Sequence, residues 1–216
     1  MDLPRLIPIF PLPNVVLFPG VPLPLHIFEP RYREMVRDAR VSDQVIGMTL
    51  LRGDWQKDYH GTPPIFLTGC AGRMVSAEAL PDGRFNILLH GIREFSIVRE
   101  TGDKMYRQAE IVWRPSVLGA TIGSERRRYL STLLDRFLMS QPETPARKLL
   151  RDPSLSDELL VNFFCYALEL APLEKQGLLE MTSLDARAGA LGEVLEFRLE
   201  ELRLAGRAPL GNDRCH

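Results

Sequence analysis

Lysine is scarce in this sequence. Four stand among 216 residues, at Lys57, Lys104, Lys148 and Lys175. None follows a glycine in the G-x-x-x-x-G-K-[ST] arrangement that wraps backbone N–H groups around phosphates, so these residues hold no P-loop. No Rossmann glycine fingerprint follows a strand either. Cysteine is also sparse. Cys70, Cys165 and Cys215 are odd in number and far apart, which excludes a disulfide framework and fits a reducing cytoplasm. Long apolar runs are missing, and the longest fall well short of the roughly 20 residues of a membrane span. Residues 5–28 are apolar but broken by proline every few positions, so they contain no signal-peptide core. Charge of one sign is lacking too, with a net charge of -1. Up to Val117 there are 14 Lys+Arg against 13 Asp+Glu, and afterwards 13 against 15. Nothing in that balance argues for nucleic acid or an anionic membrane.

What is present begins with proline. Residues 7–36, "IPIFPLPNVVLFPGVPLPLHIFEPRYREMV", hold seven prolines and are dense with Ile, Leu, Val and Phe. Proline cannot donate to a ladder, so the first strand, with Pro8, Pro11 and Pro13, is expected at an edge or bulged. "PLPLHIF" reads as a second extended piece, and "PRYREMVRDAR" as a short helix opening at Pro30. "QVIGMTLLR", a bulged "IFLTGCAGRMVSAEAL", "RFNILLHGIREFSIV" broken at Gly91, and "YRQAEIVWR" complete about six short strands. "PDG" at 81–83 is a turn between two of them.

From Ser124 the period shifts to 3.6. "SERRRYLSTLLDRFLMS" places Leu130, Leu133, Leu134, Phe137 and Leu138 on one face. "SDELLVNFFCYALELA" has Ser156 as its N-cap, and "PLEKQGLLEM" opens at Pro172. The last helix carries the stripe Leu184, Ala188, Leu191, Leu195, Leu199 and Leu202, with Thr182 and Asp185 resembling a capping box. The expected class is α+β: a barrel-like β part over residues 1–117, a helical bundle over 118–206 and a flexible polar tail over 207–216.

Three pieces in this order resemble one family. "IPIFPLPNVVLFPGVPLPLHIFEPRY", "GCAGRMVSAEALPDGRFNILLHGIREFSIV" and "LEKQGLLEMTSLDARAGALGEVLE" are similar to the opening, middle and helical part of the Lon protease N-terminal (LON substrate-binding) domain. The likeness runs from about residue 5 to 204. It implies a PUA-like β pseudobarrel with one short helix, followed by a helical bundle, and a role in contacting unfolded or specific polypeptide segments linked to protein quality control. The strand "GIREF" departs from it, with Glu94 where many relatives carry a basic residue. The ATPase and Ser-Lys peptidase modules of Lon proteases have no counterpart here, so a stand-alone, non-catalytic domain is expected, with no cofactor.

The chemistry-bearing residues agree with that expectation. His26, His60, His90 and His216 share no ligand spacing with one another or with cysteine, so no metal site is expected. Cys70 and Cys165 read as packed thiols. Glu193, Glu196, Glu200 and Glu201 read as a solvated helix face with Arg198 and Arg203 as partners. A polypeptide-binding surface needs accessible aromatics in a polar setting. Trp55 and Tyr59 in "RGDWQKDYHGTPP" are read first as lids on the barrel and second as anchors. Phe28 and Tyr32 flank the short helix and are read first as core and second as a groove. RNA binding by a PUA-like barrel is the alternative function. Arg126, Arg127 and Arg128 form its one basic cluster, itself read first as a solvated helix start.

Overall fold

Alternating apolar residues do build a sheet in the first half, and 3.6-periodic ones build helices in the second. The computed structural model describes residues 3–59, 61–102, 104–116, 119–139, 145–152 and 154–205. The strands are β1 Leu6–Leu12, β2 Pro22–Ile27, β3 Val45–Leu50, β4 Thr68–Ala79, β5 Phe85–Thr101 and β6 Arg107–Trp113, with helix α1, Pro30–Arg40, between β2 and β3. Helices α2 Ser124–Met139, α3 Pro145–Leu150, α4 Asp157–Ala167, α5 Pro172–Glu180 and α6 Leu184–Ala205 follow. The expected boundary at residues 117 and 118 and the expected tail at 207–216 lie outside the described residues.

The strand order is β2-β5-β4-β3-β1-β6, and β6 pairs again with β5, which closes a barrel. Closure depends on the length of β5. Its first half pairs with β2, opposite Pro22 to Ile27, and its second half with β6, opposite Gln108 to Trp113. β4 runs along its other edge. Two of the strands are therefore long, at 12 and 17 residues, where short ones were expected. β5 does not break at Gly91. It bulges there, with the extra residue Ile92 standing between Gly91 and Arg93, which face Gly72 and Ala71 of β4. A Cβ on Gly91 would lie 2.1 Å from the carbonyl oxygen of Phe18, so the position needs glycine for close backbone approach.

The edge expected for β1 is also corrected. β1 lies inside the sheet, parallel to β3 and antiparallel to β6. The two pairings take turns. β6 faces Leu6 to Ile9, and β3 faces Ile9 to Leu12. Ile111 N–H donates to the Arg5 carbonyl, so the odd residues of β1 direct their backbone groups at β6. Pro8, an even residue, turns its ring nitrogen away from β6 before the pairing with β3 begins. Pro11 turns its nitrogen toward the β6 side beyond Arg107, where the pairing with β6 has ended. Proline is tolerated inside this sheet because each sits where one neighbour is missing.

The barrel lumen is a small apolar cluster of Ile7, Ile9, Val45, Ala71, Phe95, Ile97, Ala109 and Ile111 with neighbours. A larger cluster crosses the two halves. It joins Phe18, Met35, Ile46 and Leu89 to Leu130, Leu134, Phe164, Leu178 and Leu191. The halves thus differ in secondary structure and share one core. Ser156 caps α4, accepting from Leu159 N–H at 3.2 Å. α6 is capped by Ser183, which accepts from Ala186 N–H at 3.1 Å, one residue later than expected. The apolar stripe of α6 is buried through Leu195, but Leu202 is 47% exposed. No helix among the described residues is long and apolar enough to cross a membrane.

Candidate functional site

The barrel and the bundle meet around a buried arginine. Arg187 of α6 is 1% exposed. Its position falls within the stripe of Leu184, Ala188 and Leu191, so the helix carries it into the core. Its guanidinium donates to Glu94 Oε1 at 2.6 Å, to Asn162 Oδ1 at 2.5 Å and to the Leu178 carbonyl at 3.0 Å. The ring of Phe18 lies 5.6 Å away. Glu94 stands beside Phe95 on β5 but on the opposite face, which the bundle covers. It is 3% exposed, so this position grips an internal arginine and no external ligand. Asn162 also donates to the Pro19 carbonyl, and Gln176 to the Thr68 carbonyl, both at 3.1 Å. Gln176 and Arg187 come from the helical piece quoted for the family resemblance.

The four aromatics selected from sequence separate. Tyr32 is 4% exposed and packs its ring 4.2 Å from that of Phe10. Burial pushes its phenol up to about 12. Trp55, in a short 3-10 turn over Trp55–Asp58, and Tyr59 are half-buried and pack on the barrel lumen's cluster. Tyr59 donates its hydroxyl to Glu29 at 2.8 Å, with the guanidinium of Arg31 5.2 Å from its ring. These contacts make the loop a lid. Phe28, expected first in the core, is instead 60% exposed. It follows the last residue of β2 and precedes Glu29, the N-cap of α1. There β2 has ended, and no facing strand covers its ring. His26 lies 6.3 Å from Phe28, ring centre to ring centre. Its ring nitrogens bond Asn86 at 2.8 Å and Arg84 at 3.2 Å.

Reactive groups are dispersed or sealed. Cys70 and Cys165 are fully buried free thiols, and burial raises both. His90 is exposed beside Gly91, while His60 and His216 lie outside the described residues. Among the described residues no three His, Cys, Asp or Glu side chains gather as metal ligands would. Glu200 and Glu201 pair with Arg203 and Arg198 as anticipated. Arg126 and Arg127 are held by Asp185 and Asp157, so much of that basic cluster is spent on packing helices. A shallow groove on the outer barrel wall, lined by Leu6, Val98, Val112 and Trp113, is a second exposed apolar surface that the sequence patterns did not single out.

A closed barrel joined to a helical bundle by a shared apolar core and a buried arginine defines an α+β domain whose accessible features are surfaces. The chain belongs to the ATP-dependent protease La (LON) substrate-binding domain family, whose model matches residues 6–196. It is 30% identical over 207 residues to a Lon protease of Parabacteroides distasonis, covering 91% of this chain and 24% of that protein. It is 26% identical over 207 residues to a Lon protease of Flavobacterium johnsoniae, covering 94% and 25%. The chain thus spans about a quarter of the length of these relatives. A Lon N-terminal domain protein from Xanthomonas campestris has the same fold, with a TM-score of 0.65 at 24% identity over 89% of this chain and 98% of that one. So does the N-terminal domain of a Mycobacterium avium complex Lon protease, with a TM-score of 0.67 at 16% identity over 89% and 98%.

Proposed function

We propose that this domain captures polypeptide segments for protein quality control, with Phe28 as an aromatic anchor. The family match carries the reading, because the family is one of substrate-binding domains. Phe28 is favoured among the four aromatics because Tyr32 is enclosed and Trp55 and Tyr59 close the barrel. An exposed aromatic at a chain junction, beside polar groups, is the kind of side chain that becomes a binding hot spot when a partner covers it. The reading assigns capture to this domain and leaves peptide-bond hydrolysis to separate ATPase and peptidase machinery. The free buried thiols suit a cytoplasmic setting.

Titration with a permanently unfolded model protein tests it. We expect saturable binding with a Kd of about 10 μM, weakened severalfold by Phe28→Ala at unchanged thermal midpoint. Wild-type protein that shows no binding at about 100 μM would end the polypeptide reading. Unchanged affinity in Phe28→Ala would remove the anchor and move attention to the groove of Leu6, Val98 and Val112.

A further inference from the structure

We propose that the outer face of α1 selects acidic polypeptide segments through Arg33, Arg37 and Arg40. The inference rests on the polypeptide-binding reading and adds a ligand chemistry to it. The three positions are spaced i, i+4 and i+7. At about 100° per residue they fall within roughly 60° of one another on the helix. The helix sorts its charges. Asp38 is turned away from this stripe and accepts from the Tyr106 hydroxyl at 2.8 Å and from Lys104 at 3.1 Å. Glu34, four residues before it, shares that side. Among the described residues no carboxylate lies within 4.0 Å of Arg33, Arg37 or Arg40, whereas Arg31 on the same helix is paired with Glu29. Arg37 and Arg40 stand in the last turn of α1, where the helix dipole favours cations, so the helix tolerates this positive stripe without a neighbouring carboxylate.

The guanidinium groups are restrained. Arg33 packs against the turn between β4 and β5, where a Cβ on Gly83 would meet its Nη2 at 2.2 Å. Its buried Nε has no hydrogen-bond partner. Arg37 and Arg40 both place Cζ 5.9 Å from the centre of the Phe85 ring. Restraint lowers the entropy lost when a ligand fixes these long side chains. The same turn connects the stripe to Phe28: Arg84, next to Gly83, bonds His26, whose ring faces Phe28.

Size and charge choose the occupant. From Arg33 to Arg40 the helix rises about 10 Å. In an extended peptide, side chains on one side recur about every 7 Å. Two or three carboxylates of an Asp/Glu-rich segment therefore match the stripe. A nucleic acid needs a longer basic track, and the chain's net charge is -1.

The test uses a fluorescent octamer of glutamate, the matching octamer of glutamine, and an oligothymidylate of equal charge, each titrated into the whole chain by anisotropy. The glutamate octamer should bind, lose affinity as salt rises, and bind about fivefold more weakly to the Arg37→Gln/Arg40→Gln variant. Both residues are exposed, and an unchanged thermal midpoint will show the variant folded. Arg128→Gln, on an exposed part of α2, should leave binding unaltered. Equal binding of the glutamine octamer, or tighter binding of the oligothymidylate, would overturn the assignment. So would undiminished glutamate binding in the double variant. If the glutamate octamer fails while an unfolded protein still binds, this inference falls and the polypeptide reading stands.

Discussion

Two sets of arginines carry opposite lessons. Arg187 is enclosed, and its donors meet a carboxylate, an amide oxygen and backbone carbonyls. Arg37 and Arg40 are exposed on α1 and Arg33 is half-buried beside them, while Asp38 on the same helix pairs with Lys104 instead. The first arginine holds barrel and bundle together. The others leave their charge available. The difference lies in what faces each helix, since both are amphipathic elements with arginines at helical spacing.

The largest effect is expected at the weld. Arg187→Leu leaves Glu94 buried without its partner and should cost about 3–5 kcal/mol in urea unfolding. Adding Glu94→Leu should recover much of that loss. A double variant no better than the single would mean that the hydrogen bonds to Asn162 and the carbonyls, not the charge pair, hold the two parts. Next comes the inner face of α1. Burial raises the Tyr32 phenol from 10.0 to about 12. The neutral phenol is thus favoured by folding. Its contribution is full below pH 10 and is lost as pH rises toward 12, about 3 kcal/mol at the limit. Unfolding followed from pH 8 to 12 should show a loss of stability, and Tyr32→Phe should remove only its own share, because burial also raises the phenols of Tyr59, Tyr106 and Tyr166. Gly91→Ala should cost about 1–3 kcal/mol, because the new methyl meets the Phe18 carbonyl. A neutral result would show that the backbone yields there. Smallest is Arg37→Gln/Arg40→Gln, expected within about 0.5 kcal/mol of wild type. A large loss at these exposed positions would make them structural and erase the contrast with Arg187.

Much of the fold was legible. The two-part pattern, the "PDG" turn at Gly83, the Ser156 cap and the buried stripe of α6 all follow from local propensity and period. Pairing partners did not. Pro8 and Pro11 predicted an edge because local rules record a missing donor and not which neighbour is absent at that point. Arg187 and Glu94 were missed as core residues because charge reads as surface. The signal was there in the placement of Arg187 among Leu184, Ala188 and Leu191. For the candidate surface, apolar content alone misled. Phe28 and Tyr32 are both aromatic and four residues apart, and the end of β2 exposes one while the barrel wall encloses the other.

Photo-crosslinking from an unfolded client, with the attachment points mapped by mass spectrometry, shows which surface of the domain holds the client. Crosslinks should concentrate between residues 26 and 40 and weaken in Phe28→Ala. Crosslinks confined to the groove of Leu6, Val98 and Val112, or none above background, would rule out this surface.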